Sequence, residues 1–163
     1  MDHMAVLGLS VNTRMLGLAI IAGNLLIDYH IQLRKEPWTL QKRELILASL
    51  QPWCASYNIN SIALSIAHEK QTSTQTKELL ESIKGYFSER KIKLCTYPPK
   101  TLHSFYPEVK TKTKKEMMRE VALKYPELSH LYRKEMSNEN KYYIKLFEAV
   151  AVATIHERNM KET

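Results

Sequence analysis

Cysteine is scarce in these 163 residues: Cys54 and Cys95 stand far apart, outside any Cys-x-x-Cys or Cys/His cluster. That excludes a disulfide scaffold and argues against a zinc site, and two small thiols suit the core of a reduced, cytosolic protein. Glycine is also sparse. The four glycines include none in a Gly-rich turn between strand and helix, so there is no phosphate-cradling nucleotide loop. No apolar run is long enough for a membrane: residues 15–27, the longest nearly uncharged stretch, fall short of the roughly 20 apolar residues a spanning helix needs. They are also broken by Gly17, Gly23 and Asn24. A secretory signal is not expected, because no basic segment leads into an apolar one, and residues 1–4 are set aside as a cloning scar or a disordered start. Acidic charge is the minority sign, with 17 Asp and Glu against 24 Lys and Arg and a formal net charge of +7. With a sequence pI near 9.3, this excess favours a polyanionic partner.

What is present suffices for a core, with 44% hydrophobic and 25% charged residues. The length suits one domain over residues 1–163, and no repeat, low-complexity tract or linker interrupts it. Two apolar runs, residues 5–9 and 16–22, flank the polar Ser10-Val11-Asn12-Thr13 and read as two tightly joined strands. Gly23-Asn24 is a hairpin turn signal, after which Leu25, Ile27, Tyr29, Ile31 and Leu33 alternate as a third, half-buried strand. Thr39 caps a helix with Leu40, Leu47, Leu50, Cys54 and Tyr57 on its apolar positions, kinked or shortened by Pro52. Residues 61–66 read as a central strand, 67–76 as loop, 76–90 as a helix and 92–97 as a fifth strand stopped by Pro98-Pro99. Thr113 to Glu116 is a capping box opening a helix through Tyr125. Ser137 or Asn138 caps a last helix to about Arg158, whose centre, residues 146–155, is apolar on nearly every face and is expected to pack on the sheet. A meander followed by alternating helices and strands makes an α/β fold, with a mixed five-stranded sheet and helices on both sides.

That order, with Val6-Leu7-Gly8-Leu9-Ser10-Val11-Asn12-Thr13-Arg14-Met15-Leu16-Gly17, resembles the ribonuclease H-like fold in its RuvC-type Holliday-junction resolvase and YqgF branches. The family opens on hydrophobic-Leu-Gly-Ile-Asp-Pro-Gly-x-Arg-x-x-Gly. Gly8, Arg14 and Gly17 match in type and spacing, but the strand-end Asp is Ser10 and Pro-Gly is Val11-Asn12. The family's Ala-Ile-Glu is matched by Ala63-Leu64-Ser65, so a second carboxylate is also a serine. Its Asp-x-x-Asp-Ala-Leu-Ala-x-Ala aligns with residues 145–153, where Lys145 replaces one Asp and Glu148 keeps a carboxylate. Tyr97-Pro98-Pro99-Lys100-Thr101-Leu102 resembles the family segment that leads to a lysine-bearing loop. The likeness spans nearly the whole chain.

What the resemblance implies about chemistry is a magnesium site, since nucleases of this fold hold one or two such ions with carboxylates from the first strand, the fourth strand and the last helix. Ser10 and Ser65 remove charge and supply poor magnesium ligands. Lys145, three residues before Glu148 on one helix face, can pair with the remaining carboxylate where a metal would stand. The reading therefore leans against enzymatic activity, with no catalytic residue and no cofactor expected. The alternative is a magnesium-dependent endonuclease with a relocated site at Asp28, Glu69 and Glu148, against which stands a surface Asp28 and a solvated Glu69. His68, His103, His130 and His156 lack ligand spacing or a Ser or Cys nucleophile to serve. Lys100, Lys110, Lys112, Lys114 and Lys115 crowd a loop near Phe105 and Tyr106. With Arg14 of the first motif they form the expected nucleic-acid contacts, non-specific and salt-sensitive. The expected protein is a catalytically degenerate RuvC-like binder of structured or double-stranded nucleic acid, DNA being favoured by the resemblance alone. A protein-interaction module is the third reading, no membrane partner is expected, and the resemblance leaves a homodimer open.

Overall fold

The computed structural model describes residues 4–105, 113–138 and 141–162. Its sheet is built first from a meander, β1 (Ala5–Val11), β2 (Met15–Ala22) and β3 (Leu25–Leu33), joined antiparallel. Gly23 and Asn24 carry positive φ of 58° and 66°, the backbone a two-residue hairpin turn demands. Helix α1 (Leu40–Ser56) then crosses to β4 (Ile59–Ser65), and α2 (Thr74–Glu89) to β5 (Lys93–Tyr97). β4 pairs parallel to β1 and β5 parallel to β4, giving the order β3-β2-β1-β4-β5. The remainder is helical: α3 (Pro99–Phe105), α4 (Lys114–Lys124), α5 (Ser129–Ser137) and α6 (Ile144–Lys161). The mixed five-stranded α/β sheet expected from the sequence is the one observed.

Strand alternation sends β1 to two cores. Leu7 and Leu9 pack with Ile46 and Leu50 of α1 and Leu79 and Ile83 of α2, while Val6 packs with α4 and α6 on the other face. On that second face the sheet is floored by small residues, and α6 lies almost against the backbone. A Cβ at Gly8 would sit 2.1 Å from the Ala149 carbonyl oxygen, and one at Gly17 would sit 2.3 Å from that of Lys145. These two glycines set the depth at which α6 docks. Covered by α4 on its other side, α6 has every residue from Leu146 to Glu157 buried, as its all-round apolar centre implies.

Three expectations are corrected and one, the Pro98-Pro99 stop, is extended. The alternation of β3 is broken by a bulge opposite Ile20 and Ile21, so Leu26, Tyr29 and Ile31 face the α6 core while Leu25 and Ile27 are exposed. In α1 the buried positions are Lys42, Ile46 and Leu50; Leu40 is exposed, and the helix runs through Pro52. Lys42 is buried because its ammonium donates to the Arg34 and Glu36 carbonyls and closes the β3–α1 connection. Pro98-Pro99 does not only stop β5: Pro99 opens α3, where its fixed φ and missing N–H cost nothing. Finally, Ser137 ends α5 rather than capping the last helix. No side chain caps α6; the Glu135 carboxylate instead fixes the chain leading into it, accepting from the backbone N–H of Tyr142 at 2.8 Å and of Tyr143 at 3.1 Å. Of the capping box, the Thr113 cap is observed, its Oγ1 accepting from the Glu116 N–H at 3.3 Å.

Candidate functional site

Parallel strands β1 and β4 end side by side, with Ser10 opposite Ser65 in register. Carboxyl ends of adjacent parallel strands are where open α/β sheets form ligand clefts. Both serines share the strand parity of Val6 and Ala63, so they face α6. There the Ser10 hydroxyl donates to Glu148 Oε1 at 3.0 Å, and Lys145 Nζ stands 3.1 Å from the same oxygen. The Lys145 and Glu148 side chains are 16% and 11% exposed, so this ion pair is shielded from bulk water on most sides.

The pair forms one wall of a cavity of about 480 Å³. His68, Gln71 and Thr72 from the segment after β4 line it, as do Thr76 of α2, Leu102 of α3, and Lys114 and Met117 of α4. Asn12 closes the β1–β2 turn beside it, its side-chain oxygen accepting from the N–H groups of Arg14 and Met15 at 2.9 and 2.8 Å. Sequence reasoning missed Gln71, Thr72 and Thr76; the signal that could have found them was their position just beyond the end of a buried parallel strand.

The donor set does not fit a divalent metal. Among the described residues, Glu148 is the one carboxylate that lines the cavity, and no group of three or more His, Cys, Asp or Glu is placed to hold an ion. Magnesium takes near-octahedral hard oxygen ligands. Two unit charges about 4 Å apart interact by roughly 4 kcal/mol at an effective dielectric of 20, and a dication by about twice that. Repulsion from Lys145 would therefore offset most of the attraction of Glu148.

Nor are Asp28, Glu69 and Glu148 brought together. Asp28 pairs with Ile20 on the α1 face of the sheet, where Tyr57 donates its hydroxyl to Asp28 Oδ2. That hydrogen bond, more than burial, raises the Tyr57 phenol above its usual range. Glu69 is 90% exposed and 3.9 Å from Lys77. The sheet itself separates Asp28 from Glu148.

Of the expected nucleic-acid contacts, Lys114 lines the cleft and Lys100 and Lys115 are exposed beside it on α3 and α4. Arg14 is exposed at the tip of the β1–β2 turn, outside the cleft lining. Lys110 and Lys112 lie outside the described residues, as do Tyr106 and the side chains of His103 and Phe105. His130 is exposed, whereas His156 is 3% exposed and its Nδ1 meets the Tyr97 hydroxyl at 2.6 Å, away from the cleft lining. No helix among the described residues is long and apolar enough to cross a membrane.

No protein-family model matches the sequence. No curated protein matches it either. Solved structures do: Thermus thermophilus RuvC in complex with a Holliday junction substrate is similar at a TM-score of 0.72 and 15% identity, over 98% of this chain and 96% of that one. A second structure of Thermus thermophilus RuvC gives 0.71 and 14% over the same shares. At such identity the likeness carries architecture and not chemistry, and the architecture of this chain is the ribonuclease H-like fold of RuvC type over nearly its whole length.

Proposed function

We propose that this chain is a catalytically degenerate RuvC-like protein that binds structured or double-stranded nucleic acid without cleaving it. The observation that carries the reading is the Ser10–Glu148–Lys145 cluster: at the strand ends where this fold gathers carboxylates, one carboxylate remains and an ammonium neutralises it. A cluster with that donor set has no means to gather a dication that would activate water or stabilise a leaving phosphate oxygen. The binding half of the proposal is supported by the net charge of +7 and by exposed Lys100, Lys114 and Lys115 around the cleft. It is supported too by the Holliday junction held by the structurally similar RuvC. Lysines on this rim would neutralise backbone phosphates without reading bases.

Two measurements on the purified protein test it. Branched and duplex DNA incubated with magnesium or manganese should remain intact, and fluorescence anisotropy should show binding that weakens steeply with salt. Metal-dependent cleavage would overturn the degenerate half. An absence of binding at low salt would overturn the other half and leave the interaction-module reading.

A further inference from the structure

The cleft is organised around a fixed cation of its own. Lys145 stands in the first turn of α6 with Nζ 3.1 Å from Glu148 Oε1, one turn on. The Ser10 hydroxyl donates to that same oxygen at 3.0 Å and so holds the carboxylate in the rotamer that meets the lysine. The backbone beneath is equally fixed, because Gly17 of β2 admits the Lys145 carbonyl where any Cβ would come within 2.3 Å of it. Strand, hydroxyl and helix turn thus all locate one ammonium, which a solvated surface lysine does not have.

That ammonium is not saturated by the carboxylate. It has three N–H donors, and the ion pair with Glu148 uses one. Lys145 also lines the 480 Å³ cavity, whose charged lining among the described residues is Lys114 and Lys145 against Glu148. With two positive charges and one negative, the cavity favours a singly charged anion and offers little to a dication. On the reading that the protein binds nucleic acid, the anion presented to such a cleft is a backbone phosphodiester, one negative charge shared by two acceptor oxygens.

We infer that Lys145 occupies the role a divalent ion would play in this cleft, its ammonium contacting a nucleic-acid phosphodiester directly while Ser10 and Glu148 hold it in position. Binding is then independent of divalent metal, and Glu148 acts as a restraint on the ammonium rather than as a ligand for the phosphate.

The test is fluorescence anisotropy on duplex and branched DNA at matched ionic strength, with EDTA or with magnesium. The parent should bind equally, within about twofold, in both. Lys145→Met should weaken binding about tenfold or more, the scale of one charge-assisted hydrogen bond. Since that variant leaves Glu148 shielded and unpaired, the double variant Lys145→Met with Glu148→Gln, which carries no such charge, should also weaken binding, by no more than the single variant does. Glu148→Gln alone should bind at least as tightly as the parent, whereas removal of a metal ligand would weaken it. Binding abolished by EDTA, a double variant that binds like the parent, or a Glu148→Gln variant that binds tenfold more weakly would each overturn the inference while leaving nucleic-acid binding intact. A parent that binds neither DNA overturns the nucleic-acid reading and this inference with it.

Discussion

Single residues decide the chemistry of this cleft. Ser10, Ser65 and Lys145 bring two neutral hydroxyls and one cation to the cleft lining, and the structure brings Ser10 and Lys145 to one oxygen of Glu148. Placing carboxylates there tests whether these positions surround a common point: Ser10→Asp with Ser65→Glu and Lys145→Asp should bind magnesium or manganese by calorimetry, and the parent should not. A folded triple variant with no gain in metal affinity would show that the four positions do not form one site. A second residue-scale prediction concerns His156. Burial, reinforced by nearby Lys93, pushes its imidazole below the ordinary value of 6.5, and its Nε2 has no hydrogen-bond partner among the described residues. The unfolded chain therefore takes up a proton near pH 6.5 that the folded protein refuses until lower pH. His156 thus favours folding fully above that pH, and the advantage is lost as pH falls through it toward the depressed native value. Urea denaturation at pH 7.5 and 5.5 should show the parent losing stability at the lower pH, and a His156→Gln variant losing less.

At the scale of the element, α6 is the part on which the site depends. Its apolar centre was legible because residues 146–155 are apolar on nearly every face, and such a helix has to be covered almost all round. Its start was not legible, because no side chain caps it and the chain just before it is held by the Glu135 carboxylate on α5, a helix whose short mixed pattern gave no signal. The bulge in β3 was hidden for a related reason: its alternating side chains read correctly as a strand, but one extra residue reverses which of them face inward. The depth of α6 gives a third prediction. Gly8→Ala forces a methyl to within 2.1 Å of the Ala149 carbonyl, a backbone atom that cannot swing away. The helix has to shift, at a cost of about 2 kcal/mol or more, read as a lowered urea midpoint with little change in slope. Gly17→Ala acts on the turn that carries Lys145 and should also weaken DNA binding, by moving the ammonium.

For the whole molecule, the sheet acts as a partition. Each face has its own core, and polar groups can be held apart by the strands between them, as Asp28 and Glu148 are. The charge excess is likewise uneven in its use, since the cleft holds Lys114 and Lys145 while Lys100 and Lys115 flank it. Neutralising Lys100, Lys114 and Lys115 together should weaken binding to all duplex sequences alike. The log–log salt slope should flatten by about 0.9 for each phosphate that the variant no longer neutralises. An unchanged slope in a salt-titrated binding measurement would place the nucleic acid elsewhere on the surface.

The sequence by itself determined the strand meander, the α/β alternation that follows it, the apolar last helix and the presence of Ser10, Ser65 and Lys145 where strands and last helix begin or end. These rest on local period, turn chemistry and residue identity, which neighbouring residues reveal. Only the tertiary structure decided that Ser10, 138 residues away, meets the same Glu148 oxygen as Lys145, and that Asp28 lies on the opposite face. The physical reason is that such contacts depend on strand register, on a bulge and on the depth at which two glycines let α6 settle, and long-range packing sets all three together.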